Sequence, residues 1–239
     1  MGGGIASSGT ANATNDGTTE SISGNQNPPL GVLGAQTVIT AGVLNQYVRA
    51  FNDGTSAACA GVLGSGGSIT IGPTGNCIVV NGSEVALVLG TNGLATITLR
   101  ADAIYASCTA SSSPSATGTA SLTNARITST ILGIETTLLN LPANPAPNTG
   151  LSIPGILSIL LNSQASSEPG QIEVTALEIE ALGGLLATVE VGSVACGPNA
   201  VAPPIPTIPL AGAPVALGVI AVAATGGFLL HRRQQALKG

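Results

Sequence analysis

Between Leu30 and Cys196, Val, Ile, Leu and Thr come in short runs whose apolar members fall on every second position, and clusters of Gly, Asn and Pro end each run before a helical repeat can build. Alternation of this kind separates the two faces of a β-strand, so the region is committed to sheet. The clearest hairpin joins Glu84–Leu89 to Leu94–Leu99 through Gly90-Thr91-Asn92-Gly93, where Asn-Gly accepts the positive φ angles of a tight turn. In its second strand Ile97, Leu99, Ala101 and Ala103 form one face, and Thr96, Thr98, Arg100 and Asp102 the other. Gln171–Leu182 starts with Ile172, Val174 and Ala176 on the apolar side and continues with Leu177 and Ile179, a change of parity that predicts a β-bulge at Ala176-Leu177. Further strands are expected near Val32–Ile39, Ser68–Ile71, Cys77–Val80, Thr119–Ile131, Ser152–Leu161 and Leu186–Ala195; Val43–Phe51 fits a strand or a short helix. Two segments, Ser111–Ser115 and the Pro-rich Pro142–Asn148, read as surface loops. No internal repeat is visible. The expectation is a mainly β chain with one antiparallel sandwich or barrel-like domain over residues 30–198.

The composition says what fills that domain and which chemistries it lacks. Hydrophobic residues make up 44% of the chain and aromatics only 2%, so Val, Ile, Leu and Ala must build the core around Tyr47, Phe51, Tyr105 and Phe228. Residues 1–207 hold all 11 acidic residues against three arginines, Arg49, Arg100 and Arg126, whereas residues 208–239 hold Arg232, Arg233 and Lys238 and no acid. An acidic body with three scattered cations cannot neutralise a run of phosphates, which argues against nucleic acid as a partner. The one histidine, His231, lies in the basic tail, so the body has neither histidine nor lysine. That removes His-dependent triads, His metal ligands and lysine nucleophiles from it. No metal, cofactor or catalytic residue is assigned.

Cys59, Cys77, Cys108 and Cys196 show no C-x-x-C spacing, and without histidine a zinc site is disfavoured. An even count in a Ser/Thr/Asn-rich β body fits two disulfides in an oxidising compartment. Of the three connectivities, Cys59–Cys77 with Cys108–Cys196 is preferred: the first closes a local loop and the second ties a middle strand to the last one.

The ends of the chain differ from this body. Residues 1–29 are Gly, Ser, Thr, Asn and Ala, a flexible arm in which Ala11-Asn12-Ala13 has the small-x-small form of a signal-peptide cleavage site. Residues 199–207 form a Pro-rich linker. Leu210–Leu230 then runs for 21 residues without a charge and is followed at once by His231, Arg232 and Arg233. As a helix it would be ~31 Å long, enough for a hydrocarbon core of ~30 Å. The positive-inside tendency keeps Arg232 and Arg233 in the cytoplasm and the β body outside.

Linker, apolar span and basic end resemble the sorting tail of Gram-positive surface proteins, in which a sortase cuts L-P-x-T-G between Thr and Gly. The corresponding residues are Ile208, Pro209, Leu210, Ala211 and Gly212, which depart from the motif at Ile208 and Ala211. The carbonyl attacked would belong to Ala211, so a retained membrane anchor is expected ahead of transfer to cell-wall peptidoglycan. The body resembles actinobacterial choice-of-anchor proteins of the G or P type, through Ala50-Phe51-Asn52-Asp53-Gly54-Thr55-Ser56-Ala57-Ala58-Cys59-Ala60-Gly61, Arg100–Ala110 and Gly192-Ser193-Val194-Ala195-Cys196-Gly197-Pro198. That resemblance implies an exported, surface-attached domain with no assigned activity and no catalytic residues.

Other motifs have bland readings. Glu178 and Glu180 share a strand face ~6.5–7 Å apart, a spacing open to a carboxylate pair or part of a Ca²⁺ site, but a solvated acidic face accounts for it. Asp53-Gly54 after Asn52 fits a contribution to a cation site or, equally, a tight turn; Gly64-Ser65-Gly66-Gly67 reads as a turn, and Asp102 beside Arg100 as a structural or solvated charge pair. Asn12 and Asn81 begin N-x-S/T triplets. The preferred expectation is a non-enzymatic, cell-surface-anchored protein with an envelope-structural or adhesive role, whose protein or glycan ligand is not specified. The alternatives are a carbohydrate- or Ca²⁺-binding module, and a cell-wall glycan hydrolase using Glu173, Glu178 or Glu180.

Overall fold

A computed structural model describes residues 6–7, 11–15, 20–26, 31–32, 39–92, 94–111, 115–166, 168–181 and 189–198. All of them belong to the unit Met1–Pro203; Pro204–Gly239 lies outside them. Among the described residues there are eighteen strands: β1 Ala6–Ser7, β2 Ser21–Gln26, β3 Gly31–Val32, β4 Ile39–Ala41, β5 Val43–Ala50, β6 Ser56–Leu63, β7 Ser68–Ile71, β8 Cys77–Val80, β9 Val85–Asn92, β10 Ala95–Ala101, β11 Ala103–Ala110, β12 Ala116–Thr123, β13 Arg126–Ile131, β14 Ile134–Asn140, β15 Thr149–Ile153, β16 Leu157–Ala165, β17 Ile172–Ala181 and β18 Val189–Cys196. The chain is mainly β, as the alternation requires, and every pairing is antiparallel. The stretch Val43–Phe51, open between strand and helix in the sequence, is strand β5.

One five-stranded sheet runs β14-β13-β10-β9-β4, a second runs β12-β11-β6-β5-β2, and a four-stranded sheet runs β15-β16-β17-β18. The four-stranded sheet lies on the second: β18 packs on β6 and β11, and β17 on β11 and β12. Their facing side chains, including Ile104, Leu122, Leu161 and Leu177, share one core with Leu87, Leu99 and Ile127 of the first sheet. The second and the four-stranded sheet therefore form a sandwich.

The first and second sheets are joined by one long antiparallel ribbon. β10 runs into β11 across Asp102, and β12 into β13 across Asn124 and Ala125, where Asn124 has φ 51°. The crossing switches the strand's faces. Ile97, Leu99 and Ala101 point into the main core, but Ala103 belongs to a second cluster on the other side of the sheet, and Ile104, Ala106 and Cys108 take its place inside. The single face drawn through Ile97, Leu99, Ala101 and Ala103 is therefore corrected at Ala103: a period of two holds only within one sheet, and the chain changes sheet at Asp102. The hairpin before it also turns later than Gly90–Gly93 implies, because β9 continues to Asn92 and its partner begins at Ala95, with a bulge at Ile97/Thr98 absorbing the offset.

The second cluster, with Phe51, Cys59, Leu63, Ile69 and Ile71, is formed where the β7-β8 ribbon covers the outer face of the second sheet. Cys59–Cys77 bonds this ribbon to β6, and Cys108–Cys196 bonds β11 to β18 across the main core. Both expected disulfides are formed and no described cysteine is free.

The parity change at Ala176-Leu177 is present, but not as a bulge in one strand. Leu161↔Leu177 and Ser163↔Thr175 keep one register with β16, and Leu177↔Val191 and Thr175↔Ser193 keep one register with β18. The row between them, Asn162, Ala176 and Gly192, is a crease running across three strands, with positive φ at Asn162 (51°) and Gly192 (65°). All three strands exchange faces together: Ile159 and Leu161, Leu177 and Ile179, and Val191 are buried on one side of the row, as Val174, Val194 and Cys196 are on the other. Gly192 is also where this sheet touches its neighbour, since a Cβ there would stand 2.6 Å from the Ala60 carbonyl oxygen.

Candidate functional site

The enzymatic alternative rests on the carboxylates of β17. On β17, Glu178 lies across from Glu190 and Glu180 across from Ser158, on the outward face of the four-stranded sheet. They border an open hollow of about 680 Å³ with Gly150, Ser152 and Ser158. Glu180 and Glu190 are exposed and Glu178 is half-buried; Glu173 is exposed on the far side of the crease, opposite Ala165 and Ala195. A like charge directly across a strand pair is tolerated where water screens it. Among the described residues no three His, Cys, Asp or Glu side chains converge to hold a metal ion.

The three arginines of the body are all engaged. Arg49 pairs with Glu20 and lies 4.6 Å over the Phe51 ring. Arg100 and Arg126 sit directly opposite each other on β10 and β13. Glu84 separates their charges by accepting from Arg100 Nη1 at 2.5 Å and from Arg126 Nη2 at 2.6 Å, while Glu135 accepts from Arg100 Nε at 2.8 Å. Asp102 accepts instead from Asn124 at 2.6 Å, so the expected Arg100–Asp102 pair is replaced by Arg100 with Glu84 and Glu135. Burial alone would lower the Arg100 pKa, but hydrogen bonding and charge from Glu84, then Glu135, outweigh it and raise the value above that of a free guanidinium. The contribution of Arg100 to stability is thus present below its unfolded pKa wherever Glu84 and Glu135 are ionised, and is lost as the pH rises on the strongly alkaline side.

The turn readings agree with the geometry. Asp53 Oδ1 accepts the Thr55 amide at 2.9 Å beside Gly54 at φ 84°, closing the β5–β6 turn. Gly67 donates to the Gly64 carbonyl at 2.8 Å between β6 and β7. Asn12 and Asn81 are exposed. In the Pro-rich loop all of Pro142–Asn148 is exposed except Pro145, which is buried and whose carbonyl accepts from buried Asn162 at 2.9 Å.

A second concavity was not singled out in the sequence. On the outer face of the ribbon, Tyr105, Ser107 and Thr109 of β11 stand opposite Ser121, Thr119 and Thr117 of β12. Their intervening neighbours Ala106, Cys108, Ala120 and Leu122 face the core. The Ser107 and Thr119 hydroxyls lie 2.9 Å apart and those of Thr109 and Thr117 3.1 Å apart. This floor belongs to an open trough of about 520 Å³, walled by Gly75 and Asn76 of the β7–β8 turn and by Asn144 and Pro145 of the loop after β14. Among the described residues no charged side chain lines it. Its signal in the sequence is hydroxyls at every second position, Ser107 and Thr109 then Thr117, Thr119 and Ser121, a pattern that reads equally as an ordinary solvent face.

The residues assigned to the tail, Ile208, Pro209, Leu210, Ala211, Gly212, the span to Leu230, and Arg232 and Arg233, lie outside the described residues. Among the described residues no helix is long and apolar enough to cross a membrane. Compared with known protein families, with curated proteins and with solved structures, the chain finds no match.

Proposed function

We propose that this chain is an exported, cell-surface-held β-domain protein with an envelope-structural or adhesive role and no catalytic function of its own. The observation that carries the reading is the Cys108–Cys196 bridge: it crosses the sandwich core and closes on the last described strand, just before the Pro-rich linker. Such a bond persists where thiols are oxidised, outside the cytoplasm. In this reading the segment Leu210–Leu230 spans the membrane, Arg232 and Arg233 stay inside, and the body stands outside in the manner of choice-of-anchor proteins.

The test is the intact mass of the protein recovered from its native cells, before and after reduction. The expected result is a membrane-fraction chain still ending at Gly239 that gains about 4 Da on full reduction, two hydrogens for each disulfide. A C-terminus at Ala211 joined to wall peptide would keep the surface reading and replace the anchor by sortase transfer. A cytosolic protein with no mass gain would overturn the reading.

A further inference from the structure

We infer that the trough on the β11–β12 face binds a neutral glycan, an assignment that rests on the adhesive reading and gives it a ligand class. The chain carries a net −5, yet among the described residues no acid and no arginine lines this trough. An anion would find no cation and a metal ion no carboxylate, so what remains is a ligand that is polar and uncharged.

The polar groups of the trough match those of a sugar. Hydroxyls and carboxamides both donate and accept, as do the hydroxyls of a sugar. Each Ser/Thr pair uses one O–H between its two oxygens and keeps one donor and spare lone pairs for a ligand. Successive rungs stand two residues apart on the strand, so Tyr105/Ser121, Ser107/Thr119 and Thr109/Thr117 make a floor about 13 Å long. Tyr105, half-buried at one end, offers a ring against which the C–H face of a sugar can pack.

Rigidity of the trough lowers the ordering cost of a weak polar contact. Thr is stiff at χ1, and the floor is a paired ribbon. One wall is held by the Cys59–Cys77 bridge. The other is held by the Leu122 amide on the Ala143 carbonyl at 2.8 Å and by Asn162 on Pro145. A site with both walls fixed to the fold is already formed before its ligand arrives.

The experiment is titration calorimetry of the full chain, disulfides intact and held in a polyoxyethylene detergent that carries no sugar. The probes are neutral malto-, manno- and cello-tetraose, with tetragalacturonate and an uncharged tetrapeptide as comparisons. The expected result is binding of at least one neutral tetrasaccharide with a Kd of about 1 mM or tighter. The double variant Thr117→Val/Thr119→Val keeps β-branched side chains on the exposed face and is expected to weaken that binding about tenfold or more. The double variant Glu178→Gln/Glu180→Gln, on the other sheet, is expected to leave it unchanged. Amide shifts of the wild type on saturation should move at Ser107 and Thr119, which locates the ligand without relying on a variant. Absence of binding to all three neutral glycans, preference for the acidic glycan or the peptide, or shifts confined to another face would each overturn the site. None of these outcomes touches the surface-held reading, which stands or falls on localisation and mass.

Discussion

At the scale of single residues, two positions keep the protein below the stability its fold would allow. The β13–β14 turn has positive φ at both central residues, Leu132 at 51° and Gly133 at 82°, and Leu132 is 78% exposed. A branched apolar side chain gains nothing from that exposure and pays the left-handed strain, whereas Asn tolerates it. Leu132→Asn is expected to raise the unfolding free energy by about 1 kcal/mol, read from the denaturant midpoint. Asn45 presents the opposite situation. It is 2% exposed on β5, between Val43 and Tyr47, and neither its amide nitrogen nor its oxygen has a hydrogen-bond partner. Burying an unpaired carboxamide is costly, so Asn45→Val is expected to stabilise by about 1 kcal/mol in the same measurement. Neither position was legible in the sequence: a turn's φ angles and a side chain's lack of partners are tertiary facts, and Ile-Leu-Gly-Ile carries no Asn-Gly signal.

At the scale of elements, the two arginines facing each other on β10 and β13 depend on Glu84. Glu84→Gln leaves them opposed and is expected to cost about 1 kcal/mol in low salt, because these side chains are partly exposed and screened, and clearly less in about 1 M NaCl. The disulfides should rank by the loop each closes. Removing Cys108–Cys196, with a sequence separation of 88, is expected to cost about 4.5 kcal/mol, against about 3 kcal/mol for Cys59–Cys77, with a separation of 18. Equilibrium unfolding of the two paired Cys→Ala variants gives the order directly. The elements themselves were readable where β-branched residues alternate: β7 and β8 begin and end where the pattern says. They were not readable in β6, Ser-Ala-Ala-Cys-Ala-Gly-Val-Leu, whose small residues have low strand preference. That strand is small because it is covered on both sides, by the four-stranded sheet through Ala58 and Val62 and by the β7-β8 ribbon through Ala57 and Cys59. A local pattern cannot report a neighbour that arrives from elsewhere in the chain. The hydroxyl trough was hidden for the same reason, since its walls come from residues 75–76 and 144–145.

For the whole molecule, the bridge between β11 and β18 also determines how it bears tension. The last described residues leave beside the start of β6, where Ser56 Oγ donates to the Gly197 carbonyl at 2.7 Å. A pull applied beyond Pro198 meets Cys196 first and passes covalently to Cys108 in the middle of the sandwich. β18 therefore cannot be peeled from the sheet edge one hydrogen bond at a time, and the segment between the two cysteines, which stand 88 apart in sequence, is withheld from extension even if the rest gives way. In a single-molecule pulling experiment on the Cys59→Ala/Cys77→Ala variant, which keeps only this bridge, the reduced protein is expected to lengthen by about 300 Å more than the oxidised one. Equal lengths would remove the bridge from the load path. Tension that would unzip an unbridged sandwich is instead carried into its centre, so a domain tethered by this end would give way last at the strand nearest its tether.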